Sequence, residues 1–271
     1  MDMTRIEVAD GVELHVHDIG TGDPIVFVHG WPLDHRMFES QYPHLLDEGM
    51  RCIGIDLRGF GESDKPYGEY GYDTFADDVK AVLEAMDLDD VTLVGFSMGG
   101  GVVTRYMGRH DGAHVDRLAL LGAASPCLIE RPDYPQGLPE GALDDFIAGA
   151  RAARPELMTQ ITELLFHQEQ SEELKRYLWT LGMQASQQAT VAAAETFRDA
   201  DLRPDMASIT VPTLVCHGTH DEIVPFDVAA PVLDDGIESA DLVRFEESGH
   251  GLTADEPEKL NRTLTDFVRE A

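Results

Sequence analysis

The chain has 271 residues, 43% of them hydrophobic, which suits one large α/β domain with a full core; no run of eighteen apolar residues could span a membrane. Asp and Glu number 51 against 20 Lys and Arg, and the formal charge of −31 argues against nucleic acid or anionic lipid as partners. Only Lys65, Lys80, Lys175 and Lys259 are lysines. An acidic surplus spread along the whole chain is read as adaptation to strong salt. There the Debye length shrinks to about 3 Å at 1 M, whereas in dilute buffer self-repulsion would destabilise a compact fold.

The first residues, "MDMTRIEVADGVELHVHDIG", lack a basic stretch followed by an apolar core, so no secretory signal is expected. Apolar and polar residues alternate around Asp10-Gly11, which predicts a hairpin. "PIVFVHG" (24–30) is a short apolar run closed by glycine, as in a strand buried on both faces. "RCIGID" (51–56), "VTLVGF" (91–96), "RLALLG" (117–122) and "TLVCHG" (213–218) repeat that form. Helical spacing appears between them at 34–47, 73–88 and 98–109. Strands alternating with helices predict a mostly parallel sheet with helices on both faces. Residues 125–207 break the rhythm: a Pro- and Gly-rich opening precedes three amphipathic stretches (142–153, 156–168 and 171–186). They predict a helical cap inserted between core segments 1–124 and 208–271. Cys52, Cys127 and Cys216 sit among apolar neighbours and read as buried thiols of a reducing, cytoplasmic compartment, with no metal site.

Chemistry concentrates where strands end. "LVGFSMGGG" contains G-x-S-x-G at Gly95 to Gly99, after a predicted strand and opening a predicted helix. That context lifts a serine hydroxyl above the sheet edge, beside the free N–H groups of a helix N-terminus. A capping role would explain Ser97 but not the glycines on both sides. A serine nucleophile needs a base, and the base an orienting acid, in chain order Ser, Asp or Glu, His. Asp221 follows the seventh core strand and is better placed than Glu222 or Asp227. Of 11 histidines, His250 stands out between two glycines after the eighth strand. For the oxyanion, the loop "HGWP" offers the Trp31 N–H, since Pro32 has none, and Met98 offers the other donor. His29 reads as a brace for that loop, and Asp56 and Arg58 as a structural ion pair or loop brace.

Together with "HGWPLDHRMFESQ", "IDLRGFGESDKP", "YDTFADDV", "GMQAS", "DMASITVPTLVCHG" and "EIVPF", these residues resemble the α/β-hydrolase family. The likeness is to its cofactor-free (non-haem) haloperoxidase and aryl esterase branch, the perhydrolases, from about residue 5 to residue 268. The resemblance implies an eight-stranded, mostly parallel sheet with a helical cap, no cofactor, and Ser97, Asp221 and His250 as triad. It also implies Trp31 and Met98 as oxyanion-hole donors and pocket walls, with Val224 on the opposite wall. The expected reaction is hydrolysis of small aryl or alkyl esters through an acyl-enzyme. Perhydrolysis to a peracid that oxidises halide without metal is the side reaction the family implies. The chain departs from the branch between Pro126 and Phe146, where apolar residues are thinner (Leu143 stands at one such place), and in "SGHGL". Pocket size and acyl preference therefore stay open, as do a lactonase or carbon–carbon bond hydrolase on the same triad, a non-catalytic small-ligand receptor, and a homo-oligomeric state. Phe146, Leu164, Phe166, Trp179 and Phe197 are expected to pack the cap rather than line a pocket.

Overall fold

A two-residue turn at Asp10-Gly11 joins β1 (Asp2–Ala9) to β2 (Val12–Ile19), with Ala9 opposite Val12, as the alternating pattern predicts. The computed structural model describes residues 2–68 and 70–269; Met1, Glu69, Glu270 and Ala271 lie outside the described residues. The hairpin opens an eight-stranded sheet in the order β1-β2-β4-β3-β5-β6-β7-β8. Its other strands are β3 (Pro24–Val28), β4 (Arg51–Ile55), β5 (Val91–Phe96), β6 (Val115–Leu121), β7 (Thr213–Gly218) and β8 (Ala240–Phe245). Pairing is antiparallel through β1, β2 and β4, and parallel from β4 to β8.

The central parallel strands β3, β5 and β7 are mostly apolar because both faces are covered, whereas the edge strand β8 is only partly buried and carries Asp241 and Arg244. Along β3, Ile25 and Phe27 enter one core with Phe38, Leu45 and Phe96, while Val26 and Val28 enter the other with Phe75, Val79 and Val102. The helices that cover them are α1 (Tyr42–Asp47), α2 (Tyr72–Ala85), α3 (Met98–His110), α9 (Phe226–Gly236), α10 (Leu252–Asp255) and α11 (Pro257–Arg269). Between β6 and β7 run α4 (Asp144–Ala152), α5 (Arg154–Leu164), α6 (Glu172–Gln184), α7 (Gln187–Asp199) and α8 (Arg203–Met206).

Two departures from the sequence reading have clear causes. The stretch 34–47 is a 3-10 turn (His35–Phe38) and a separate α1, because Pro43 fits a first helical turn but cannot continue a helix from upstream. Helix α7 was not among the predicted stretches. It buries Ala189, Ala193, Ala194 and Phe197, a face too poor in large apolar residues to give a strong periodic signal, although Ser186 caps it by accepting from Ala189 N–H. The three cysteines are free and buried, as expected.

Candidate active site

The parallel register aligns the C-terminal ends of β3, β5, β7 and β8, the edge at which open α/β sheets present ligand sites. Ser97 stands at the end of β5 with φ +53° and ψ −118°, a region costing about 1–3 kcal/mol for a non-glycine residue. Its N–H donates to Leu121 O at 2.9 Å, and its carbonyl accepts from Gly100 N and Ala124 N, so the strain is held by β6 and α3. The flanking glycines are required by close approach. A Cβ on Gly95 would lie 2.4 Å from Gly99 O, and one on Gly99 would lie 2.2 Å from Val28 O. Met98 is the first residue of α3, where backbone N–H groups have no partner within the helix and face outward with the positive end of its dipole.

The loop after β3 lies against this turn: a Cβ on Gly30 would meet the Phe96 ring at 2.7 Å and Ser97 Cβ at 3.0 Å. His29 braces the loop, as read from the sequence. Its Nε2 accepts from Leu57 N–H at 3.1 Å, which leaves Nδ1 to donate to Gly30 O at 3.0 Å. Burial holds the His29 pKa below the usual histidine value, in keeping with a neutral ring. Trp31 is pinned by an indole N–H donated to Thr190 O of α7 at 2.7 Å. Its ring lies 4.6 Å from that of Phe146.

Asp221 and His250 meet, with Nδ1 2.7 Å from Oδ2, both buried. The other oxygen, Oδ1, accepts from Ile223 N–H at 2.9 Å and Val224 N–H at 2.8 Å. Burial alone would raise the Asp221 pKa. The facing His250 and His217 outweigh it and hold the carboxyl far below the ordinary carboxylate range. His217 was missed in the sequence. Its Nε2 lies 2.8 Å from Val224 O and 3.1 Å from Asp221 Oδ2, so it steadies the loop that carries the acid. Its only sequence signal is a position four residues before Asp221 at the end of β7.

Ser97, His250, Trp31, Met98 and Val224 line a single cavity of about 430 Å³, while Asp221 sits behind His250. Phe146, Leu164 and Phe197, of α4, α5 and α7, line it as well, so Phe146 and Phe197 both pack as expected and form cavity wall, while Leu164 stands exposed at its edge. Phe166 instead is half-buried and packs against the core cluster that holds Leu165 and Leu178, and Trp179 donates its indole N–H to Pro155 O at 3.0 Å. Asp56 and Arg58 serve as separate braces rather than as one pair. Asp56 accepts from His35 Nδ1 at 2.7 Å, and from His35 N and Glu62 N, while Arg58 binds the buried Asp78.

The chain matches the α/β hydrolase fold family over residues 23–257. It is 46% identical over 262 residues to the AB hydrolase superfamily protein YisY of Bacillus subtilis, covering 97% of each chain. It is 35% identical over 266 residues to a non-heme chloroperoxidase of Kitasatospora aureofaciens, covering 96% of this chain and 97% of that one. Among solved structures, an esterase from Exiguobacterium antarcticum superposes with a TM-score of 0.96 at 41% identity, covering 99% of this chain and 100% of the other. The chain therefore belongs to the α/β hydrolase fold family.

Proposed function

We propose that the protein is a serine hydrolase of small, uncharged carboxylic esters, acting through an acyl-enzyme. The observation that carries this reading is the strained turn that turns Ser97 into the same cavity as a buried His250 already bonded to Asp221. In this reading His250 takes the Ser97 hydroxyl proton as the oxygen attacks the ester carbonyl. The Trp31 and Met98 backbone N–H groups hold the resulting oxyanion, a contribution of roughly 2.7–4 kcal/mol per donor. His250 then protonates the leaving alcohol, and water repeats the sequence to release the acid. Asp221 fixes the imidazole tautomer and stabilises its cation. With hydrogen peroxide in place of water, the same deacylation releases a peracid, which oxidises halide without a metal.

Among the described residues lining the cavity there is no Lys or Arg, and Asp145 and Glu222 stand at its wall. A substrate carrying its own carboxylate would find no cationic partner there. This favours neutral substrates over those that carry a carboxylate.

Around this site we place a helical cap at residues 125–207 on a core of 1–124 and 208–271, and we read the acidic surplus as adaptation to high salt in a reducing cytoplasm. Ser97→Ala is expected to lower turnover of a nitrophenyl acetate on the order of 10⁶-fold with an unchanged circular dichroism spectrum. Wild-type-like turnover would remove the mechanism. The same assay with peroxide and halide reads the peracid branch.

A further inference from the structure

Both loops that carry the proposed acid and base are fastened from above by one short segment, Leu165 to Gln170, which links α5 to α6. The key group is Asp255, a buried carboxylate at the end of α10. Its Oδ2 accepts from Gly249 N–H at 2.9 Å and from His167 N–H at 2.8 Å. Its Oδ1 accepts from Gln168 N–H and Gln170 Nε2–H, each at 3.2 Å. One carboxylate thus ties the residue before His250 to the linking segment. On the other side of His250, Gly251 N–H donates to Leu165 O at 2.6 Å. The base is held at both neighbours by the same stretch of chain.

Contact with the acid loop comes from a side chain. The imidazole of His167 stacks on that of His220, the residue before Asp221, with ring centres 3.7 Å apart and planes within 5°. His220 N–H in turn donates to Ser248 O at 3.0 Å, which joins the acid loop to the base loop directly. The fit also explains the glycines around His250. A Cβ on Gly249 would lie 2.9 Å from His167 N and 3.1 Å from Leu165 O, and one on Gly251 would lie 2.7 Å from the Phe166 ring. Only hydrogens fit between this strap and the histidine loop.

We propose that Asp255 is a positioning residue, and that through it the Leu165–Gln170 strap sets the geometry of His250 and Asp221, so that docking of the strap and alignment of the base are one event. Carboxylate oxygens that accept backbone N–H groups fix those groups more rigidly than neutral acceptors do. A misplacement of about 1 Å at a catalytic base costs on the order of 100-fold in rate. This rests on the ester-hydrolase reading above.

The test uses the full chain with Asp255→Ala, Asp255→Asn and Gly249→Ala, whose methyl group wedges the strap from the loop at an independent point. Three quantities are read per folded site: kcat and KM for nitrophenyl acetate, and the rate at which a fluorophosphonate labels Ser97. For Asp255→Ala and Gly249→Ala, kcat and labelling rate should fall together by about 100-fold, with KM within about threefold of wild type. Asp255→Asn, which keeps one acceptor oxygen, should recover about a tenth or more of the wild-type rate. A merely structural role would lower the melting temperature and leave the per-site rates alone. Per-site rates within twofold of wild type in a folded Asp255→Ala, or in Gly249→Ala should the former not fold, overturn the proposal. A wild-type protein that fails to turn over ester sinks the functional reading instead, so the two failures are distinguishable.

Discussion

Around the site, single buried groups are held in one protonation state by what they touch. His29 must be neutral for its Nε2 to accept from Leu57 N–H, and burial lowers its pKa. Burial likewise lowers His15 and His17 on β2. The stability these rings contribute is present above about pH 6.5, the unfolded histidine value, and is lost as pH falls toward their depressed folded values. Asp56 and Asp221 are held below their unfolded value of 3.8, so their contribution is present above it and lost on further acidification. Asp78 and Asp205 oppose this second step, because burial raises their pKa and the folded state takes up their protons first. The urea midpoint is therefore expected to be level between about pH 7 and pH 8, to decline from about pH 6.5, and to decline further below about pH 4. A level midpoint from pH 8 to pH 5 would refute the neutral-histidine assignment. At this scale Ser97 and His250 were legible because local backbone demands, a tight turn and glycine neighbours, are written in adjacent residues. His217 and Asp255 were not, since each matters only through partners brought near by the fold.

Elements were read best where a strand is buried on both faces, as β5 and β7 are, since an apolar run closed by glycine admits little else. The segment between β6 and β7 was read less completely. Its α4, α5 and α6 were legible from their apolar spacing, whereas α7 is placed by contacts with the core, such as the Trp31 indole donated to Thr190 O, and such contacts leave no periodic signal. The same docking turns Phe146 of α4 toward Trp31 and makes it part of the cavity wall. Phe146→Ala should therefore lengthen the pocket. The ratio of kcat/KM for nitrophenyl hexanoate to that for nitrophenyl acetate is expected to rise about 10-fold or more, the scale set by a few methylenes in an apolar site. An unchanged ratio in a chain-length series would move the acyl limit to another wall.

Across the molecule, arginines carry most of the ion pairs, and several bridge elements. Arg105 of α3 reaches Asp73 of α2 and Asp205 of α8, and Arg109 reaches Asp73 and Asp77. Salt weakens such exposed pairs, yet with 51 acids against 20 bases the like-charge terms outnumber them. The net effect of added salt should be stabilising. Each kcal/mol of repulsion relieved would raise the melting temperature by roughly 2 °C for a chain of this size. Calorimetry from 0.1 to 2 M KCl checks this, and a flat or falling melting temperature would count against the high-salt reading.

The two indoles of the chain also report on separate places. Trp31 forms part of the cavity wall, whereas Trp179 is half-buried on α6 with its N–H on Pro155 O. Native ultraviolet emission therefore carries one signal from the cavity wall and one from α6 outside it. Filling the cavity perturbs the first emitter and leaves the second as an internal reference, so occupancy can be followed in real time without an attached dye.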